Sequence, residues 1–212
     1  MKDKLHFEIL DKKRIKLLPL FKAFKDRFYL AGGTALALQL AHRDSIDFDF
    51  FTDRDFNSGD LLREIKEVFT GHKIEAAQAG NKTLNIIIDG KIKASFFCIN
   101  EKLLNKTING DYFWLASLDD IACMKITALL RAELKDYIDL YYIMQQRSLA
   151  EIIKNCQRKY DNFDPMVYLK ALISFDDINM PRILFRRKKH VKIKTIKASF
   201  QQAVKQYLGR LI

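Results

Sequence analysis

The stretch that most constrains this chain is Ser45-Ile46-Asp47-Phe48-Asp49-Phe50, where apolar residues alternate with polar ones. A period of two predicts a half-buried strand, on which residues two apart share a face at roughly 6.5–7 Å. Ile46, Phe48 and Phe50 should turn to the core while Asp47 and Asp49 project together from the other face. Two carboxylates in one space repel each other, and a divalent cation relieves that repulsion most completely. Their hard oxygens favour Mg2+ or Mn2+. The competing reading is the solvated face of an ordinary amphipathic strand, which D-x-D alone does not exclude.

The neighbouring sequence adds a second element. Phe28-Tyr29-Leu30 reads as a short strand, Ala31-Gly32-Gly33 as a tight turn, and Thr34 to Ala41 as a helix. Glycines let backbone approach a ligand closely, and the free N–H groups of a helix start favour phosphate oxygens. A Gly-Gly pair is also a common turn. Beside D-x-D it supplies a phosphate cradle next to a metal platform, and neither G-x-x-x-x-G-K-[ST] nor G-x-G-x-x-G occurs in the chain.

The rest of the chain divides by texture. An amphipathic helix is expected over Lys12 to Asp26, and another from about Gly59 to Phe69 behind the capping pair Asn57-Ser58. Strands follow at Lys73 to Ala79, Thr83 to Ile88 and Lys91 to Ile99, the last two joined by the hairpin signal Asp89-Gly90. From Ser117 the pattern is helical, with helices to about Arg131, over Asp136 to Gln146, after the Ser148/Glu151 capping box, from Asp164-Pro165 to about Ser174, and over Lys197 to Gly209. Val191 to Ile196 reads as a short strand. The expectation is an α/β (α+β) domain over residues 1–115, a mixed sheet with flanking helices, followed by a helical domain over 116–212 with a basic C-terminal segment.

Composition narrows the partners. The formal charge of +11 is carried almost wholly by the C-terminal quarter: residues 154–212 hold 14 basic and 4 acidic groups, against 23 and 22 in residues 1–153. Arg186-Arg187-Lys188-Lys189-His190, with Lys192, Lys194 and Lys197, has no acid nearby. Such a run suits nucleic-acid phosphates, an acidic protein partner or plain solvation. Cys98, Cys123 and Cys156 form no CxxC motif, which argues against a disulfide scaffold or zinc ribbon. No apolar stretch approaches the roughly 20 residues of a membrane span, and no signal-peptide core is present, so a cytoplasmic protein is expected.

These residues carry a resemblance. Gly32-Gly33-Thr34-Ala35-Leu36-Ala37-Leu38, then His42-Arg43, then Ser45 to Phe51 resembles the minimal nucleotidyltransferase signature of the polymerase beta superfamily, and more narrowly the AbiEii/AbiGii toxin family. Lys125-Ile126-Thr127-Ala128-Leu129-Leu130-Arg131 and Lys135-Asp136-Tyr137-Ile138-Asp139-Leu140 resemble that family's helical motif. The resemblance spans about residues 28–145. It implies a nucleotidyltransferase-like fold and transfer of a nucleoside monophosphate from a nucleoside triphosphate to an acceptor, in a toxin–antitoxin or phage-defence (abortive infection) setting. RNA is the acceptor it points to, the acceptor end of transfer RNA in some members, with a cognate antitoxin as partner. By position, Asp47 and Asp49 would hold metal, and Gly32, Gly33, Thr34, Arg43 and Ser45 would bind the nucleotide. Lys125 and Arg131 would meet its phosphates, and Asp136 or Asp139 would complete the catalytic set.

The chain also departs from the pattern. Polymerase beta relatives usually place a third carboxylate on a later strand, but the matching strand here carries Ala94 and Ser95 at that point. Asp136 or Asp139 could take the role, a weaker base could serve, or the protein could bind nucleotide or RNA without turnover. Asp136 and Asp139 could equally form structural ion pairs with Arg131 and Lys135, and Arg43 could lie in a surface loop.

Overall fold

The computed structural model describes residues 4–176, 178, 183–186 and 189–210. Arg187 and Lys188 of the basic run lie outside the described residues. The chain forms two compact units, residues 1–102 with 106–116, and residues 103–105 with 117–212.

The first unit is a mixed seven-stranded sheet with helices. In chain order it contains α1 (Lys12–Phe21), β1 (Tyr29–Ala31), α2 (Gly32–Leu40), β2 (Phe48–Thr52), α3 (Ser58–Val68), β3 (Ile74–Gly80), β4 (Thr83–Ile88), β5 (Ile92–Cys98), β6 (Ile108–Asn109) and β7 (Trp114–Leu115). The sheet order is β3-β4-β5-β2-β1-β7-β6, with β1–β7 and β2–β5 parallel and the other pairs antiparallel. Alternation decides the faces. Leu30, Phe48, Phe50, Leu84, Ile86, Ile88, Ala94 and Phe96 are all buried. Phe21 of α1 packs on this face, its ring centroid 4.9, 5.0 and 5.1 Å from those of Phe48, Phe50 and Phe69. The β4–β5 hairpin turns as Asp89-Gly90 requires, with φ of +52° and +67° and a Lys91 N–H to Ile88 carbonyl bond of 3.1 Å.

One expectation fails at the edge of β2. The alternation places Ile46 on the buried face, but it is 57% exposed and the strand begins only at Phe48. Residues 44–47 form a connection held from outside the sheet, because Arg14 Nε of α1 donates to the Ile46 carbonyl at 2.7 Å.

The second unit is helical: α4 (Leu118–Ala128), α5 (Leu134–Ile143), α6 (Leu149–Lys159), α7 (Pro165–Ile173) and α8 (Ile193–Leu208). Buried Asp120 ties residues 103–105 into it, accepting from the N–H groups of Leu104 and Asn105, from Ser117 Oγ and from Lys159 Nζ. Tyr137 is buried against Phe175 and Phe200, and its hydroxyl lies 3.0 and 3.2 Å from the carbonyls of Ala171 and Ser174 at the end of α7. The short strand expected over Val191 to Ile196 is absent; α8 starts at Ile193, and Ile196, Phe200 and Val204 recur every four residues on its buried side. Six alternating residues fit a strand, but the buried repeat continues for a further two turns. Among the described residues, no helix is long and apolar enough to cross a membrane.

Candidate active site

Seven of the residues singled out from sequence lie in the first unit and converge around the start of α2. Ala31 precedes that helix and has no polar side chain with which to cap it. Gly32 has φ +66°, a conformation other residues adopt at a cost, and a Cβ there would stand 3.0 Å from Asp49 Oδ2. A Cβ on Gly33 would stand 2.6 Å from Arg43 Nη2 and 3.1 Å from Ser45 Oγ. The two glycines thus leave room for a carboxylate and a guanidinium against the positive end of a helix.

The connection from α2 to β2 is tied down by hydroxyls. Thr34 Oγ1 lies 2.9 Å from Ser45 Oγ and also bonds the Asp47 carbonyl. That carbonyl can only accept, so the Thr34 proton goes to Asp47 and the Ser45 hydroxyl donates to Thr34. Arg43 is buried, and its Nη1 donates to the Asp44 carbonyl at 2.9 Å. Asp47 sits just before β2 and Asp49 within it, both half-buried, while Phe48 between them is fully buried. The alternation therefore holds from residue 47 onward.

The sheet register adds residues that sequence reasoning did not assemble. Asp49 pairs with Ser95 on β5, which pairs with Asn85 on β4. Ser95, not Ala94, therefore stands beside Asp49 on its face, in the place of the third carboxylate usual in polymerase beta relatives. Asn85 Nδ2 donates to Gln78 Oε1 at 2.8 Å, while Asn85 Oδ1 is buried with no hydrogen-bond partner among the described residues. Two residues along the same face runs a half-buried aromatic row, with ring centroids 6.0 Å apart for Tyr29 and Phe51 and 5.3 Å for Phe51 and Phe97. Asp89 is engaged in its turn, where the His72 ring and the Lys73 N–H hold its carboxyl below the usual aspartate range.

Lys125, Arg131, Asp136 and Asp139 lie in the second unit and bind one another. Ala132 at φ +51° reverses the chain between α4 and α5, so that Asp136 and Asp139, three apart on α5, meet Lys125 on α4. Lys125 Nζ is 2.6 Å from Asp136 Oδ1 and 2.7 Å from Asp139 Oδ2, and both carboxylates are fully buried. Arg131 reaches Asp136 Oδ2 at 2.9 Å from a side chain 59% exposed. Lys135 instead bonds Glu133 at 2.7 Å and holds that carboxyl below the usual glutamate range.

The family described as nucleotidyl transferase AbiEii toxin, type IV toxin–antitoxin system, matches residues 20–209. The chain belongs to the AbiEii family. The Aquifex aeolicus (strain VF5) protein aq_aa25 is 39% identical over 157 residues, covering 71% of this chain and 74% of that protein. Among solved structures, JHP933 from Helicobacter pylori superposes with a TM-score of 0.61 at 16% identity, over 98% of this chain and 94% of that one. The Megavirus polyadenylate synthase gives 0.50 at 15% identity, over 76% of this chain and 36% of that one. These likenesses show the nucleotidyltransferase fold. For this AbiEii chain, family and fold together support an enzyme of nucleotidyl transfer that serves as a toxin.

Proposed function

We propose that the protein is a metal-dependent nucleotidyltransferase that transfers a nucleoside monophosphate from a nucleoside triphosphate to RNA, the acceptor end of transfer RNA being the form the family resemblance implies, as the toxin paired with an antitoxin. The observation that carries this reading is the convergence of Asp49, Arg43 and Ser45 on the start of α2 at Gly32-Gly33. Triphosphate oxygens suit the helix N-terminus and the Arg43 guanidinium.

Asp47 and Asp49 fit Mg2+ or Mn2+, since Mg2+ is ordinarily held by one or two carboxylates with substrate phosphates completing the shell. When bound, the metal would neutralise charge building on the phosphates.

In the reaction the acceptor hydroxyl oxygen forms a bond to the α-phosphorus while the bond to the pyrophosphate oxygen breaks, and pyrophosphate leaves. The Ser95 hydroxyl beside Asp49 is no base at neutral pH, so the acceptor's proton would pass to another carboxylate or to water. Asp136 and Asp139 are the acids the resemblance offers, and both are engaged with Lys125. The orphaned Asn85 Oδ1 suits a donor such as a ribose hydroxyl or base amine.

Asp49→Ala should abolish transfer from a labelled triphosphate while circular dichroism and the thermal midpoint stay near those of the parent. Equal transfer by mutant and parent would overturn the reading. Ser95 favours one rival, a protein that binds nucleotide or RNA without turnover; calorimetric binding with no product in the parent would identify it.

A further inference from the structure

The second unit contains a hollow of about 490 Å³ lined by Tyr141 and Tyr142 of α5, by Lys189, His190 and Lys192, and by Thr195 of α8. No carboxylate lines it among the described residues. Its parts are built together. The Tyr142 hydroxyl bonds the Lys189 carbonyl, and Lys189 Nζ lies 5.7 Å from the centroid of the Tyr142 ring. The Tyr141 and Tyr142 rings stand nearly perpendicular, 5.3 Å apart.

The electrostatics of this hollow are unfavourable without an anion. Lys192 is the N-cap residue of the 16-residue helix α8, makes no side-chain capping bond, and is followed by a first turn without an acid. Cations at the positive end of a helix are destabilising, and here Lys192 and Lys194 are joined by Lys189. An anionic ligand removes that repulsion. Cations beside half-buried aromatic rings, rather than a broad apolar patch, are the combination that grips single-stranded nucleic acid, with phosphates on the lysines and bases stacked on the rings.

We propose that this hollow binds a single-stranded segment of the acceptor RNA, an assignment that rests on the transfer reading above for the word acceptor but not for the binding itself. Lys189 and Lys192 take the phosphates and Tyr141 stacks a base.

The test is fluorescence anisotropy of the full chain, without nucleotide, against a labelled single-stranded RNA, a duplex RNA of equal length and a polyglutamate peptide, over a salt series. The parent should prefer the single strand. Tyr141→Ala should weaken single-strand binding by about 5- to 150-fold. Lys189→Gln with Lys192→Gln, surface changes that spare the fold, should make the salt slope shallower by about 1.4. Tyr141→Ala binding like the parent with an unchanged thermal midpoint would overturn the proposal, as would polyglutamate binding as tightly as RNA, which would mark the hollow as a dock for an acidic protein. Single-strand binding by the double lysine variant equal to the parent's would also overturn it. Pyrophosphate release by a parent that fails to bind the single strand removes this site and leaves transfer standing; RNA binding that Tyr141→Ala weakens, in a parent without transfer, does the reverse.

Discussion

Replacing Lys125 with methionine separates two roles for the buried cluster. Methionine keeps much of the apolar stem and removes the charge that Asp136 and Asp139 share at 2.6 and 2.7 Å. Arg131 still reaches Asp136, but its exposed guanidinium is screened by solvent. Removing one partner from a buried ionic cluster costs about 3–5 kcal/mol, because the remaining charges are stranded. For a chain of this size about 1 kcal/mol moves the thermal midpoint by about 2–4 °C, so the expected fall is about 6–20 °C. Thermal unfolding followed by far-UV circular dichroism measures it. The triple variant Lys125→Met, Asp136→Asn, Asp139→Asn removes the cluster's shared charges together and should recover more than half of the loss, since neutral substitutes of similar shape are tolerated where a broken pair is not. A midpoint for Lys125→Met within about 2 °C of the parent, together with weakened triphosphate binding, would refute the reasoning. The ammonium would then serve phosphate rather than hold α4 to α5.

Gly33→Ala should lower triphosphate affinity by about tenfold or more, because its Cβ displaces the Arg43 guanidinium now 2.6 Å away; calorimetry that finds parental affinity would show that the pairing of glycine and arginine does not serve the ligand. At the start of α6, Ser148→Ala should cost about 1 kcal/mol, read as a lower midpoint in denaturant. The Glu151 carboxylate accepts from the Ser148 N–H and hydroxyl, which hold it below the usual 4.5, so its contribution is complete above that pH and is lost as pH falls through the lowered value. The stability gap between the parent and Glu151→Gln should accordingly close in acid; a gap that widens would contradict the sign.

Much of the sheet was legible because local chemistry and tertiary packing agree. Leu84, Ile86 and Ile88 alternate with half-buried residues, and Asp89-Gly90 takes the positive φ values that a tight hairpin needs. The short β6 and β7 escaped because two residues carry no period, and their pairing is defined by partners elsewhere in the chain. Ile46 shows the reverse failure. Its apolar type continues the alternation in sequence, yet it is exposed and lies before the strand, where Arg14 bonds its carbonyl.

The same distinction governs the candidate site. Spacing alone predicts that Asp47 and Asp49 share a side, and both are half-buried around buried Phe48, while Gly32-Gly33 marks the start of α2. That these features meet depends on the antiparallel pairing of Ala31 with Asp49, which no local pattern encodes. The neighbour of Asp49 is likewise a matter of register: a shift of one residue would set buried Ala94 beside it instead of Ser95. The row that results holds one carboxylate, one hydroxyl and one amide across β2, β5 and β4. A third acid there would add like-charge repulsion that only a bound cation relieves. Serine and asparagine avoid that repulsion and leave hydrogen-bonding groups in its place, and under the proposed function a cation there would need substrate phosphates to complete its shell.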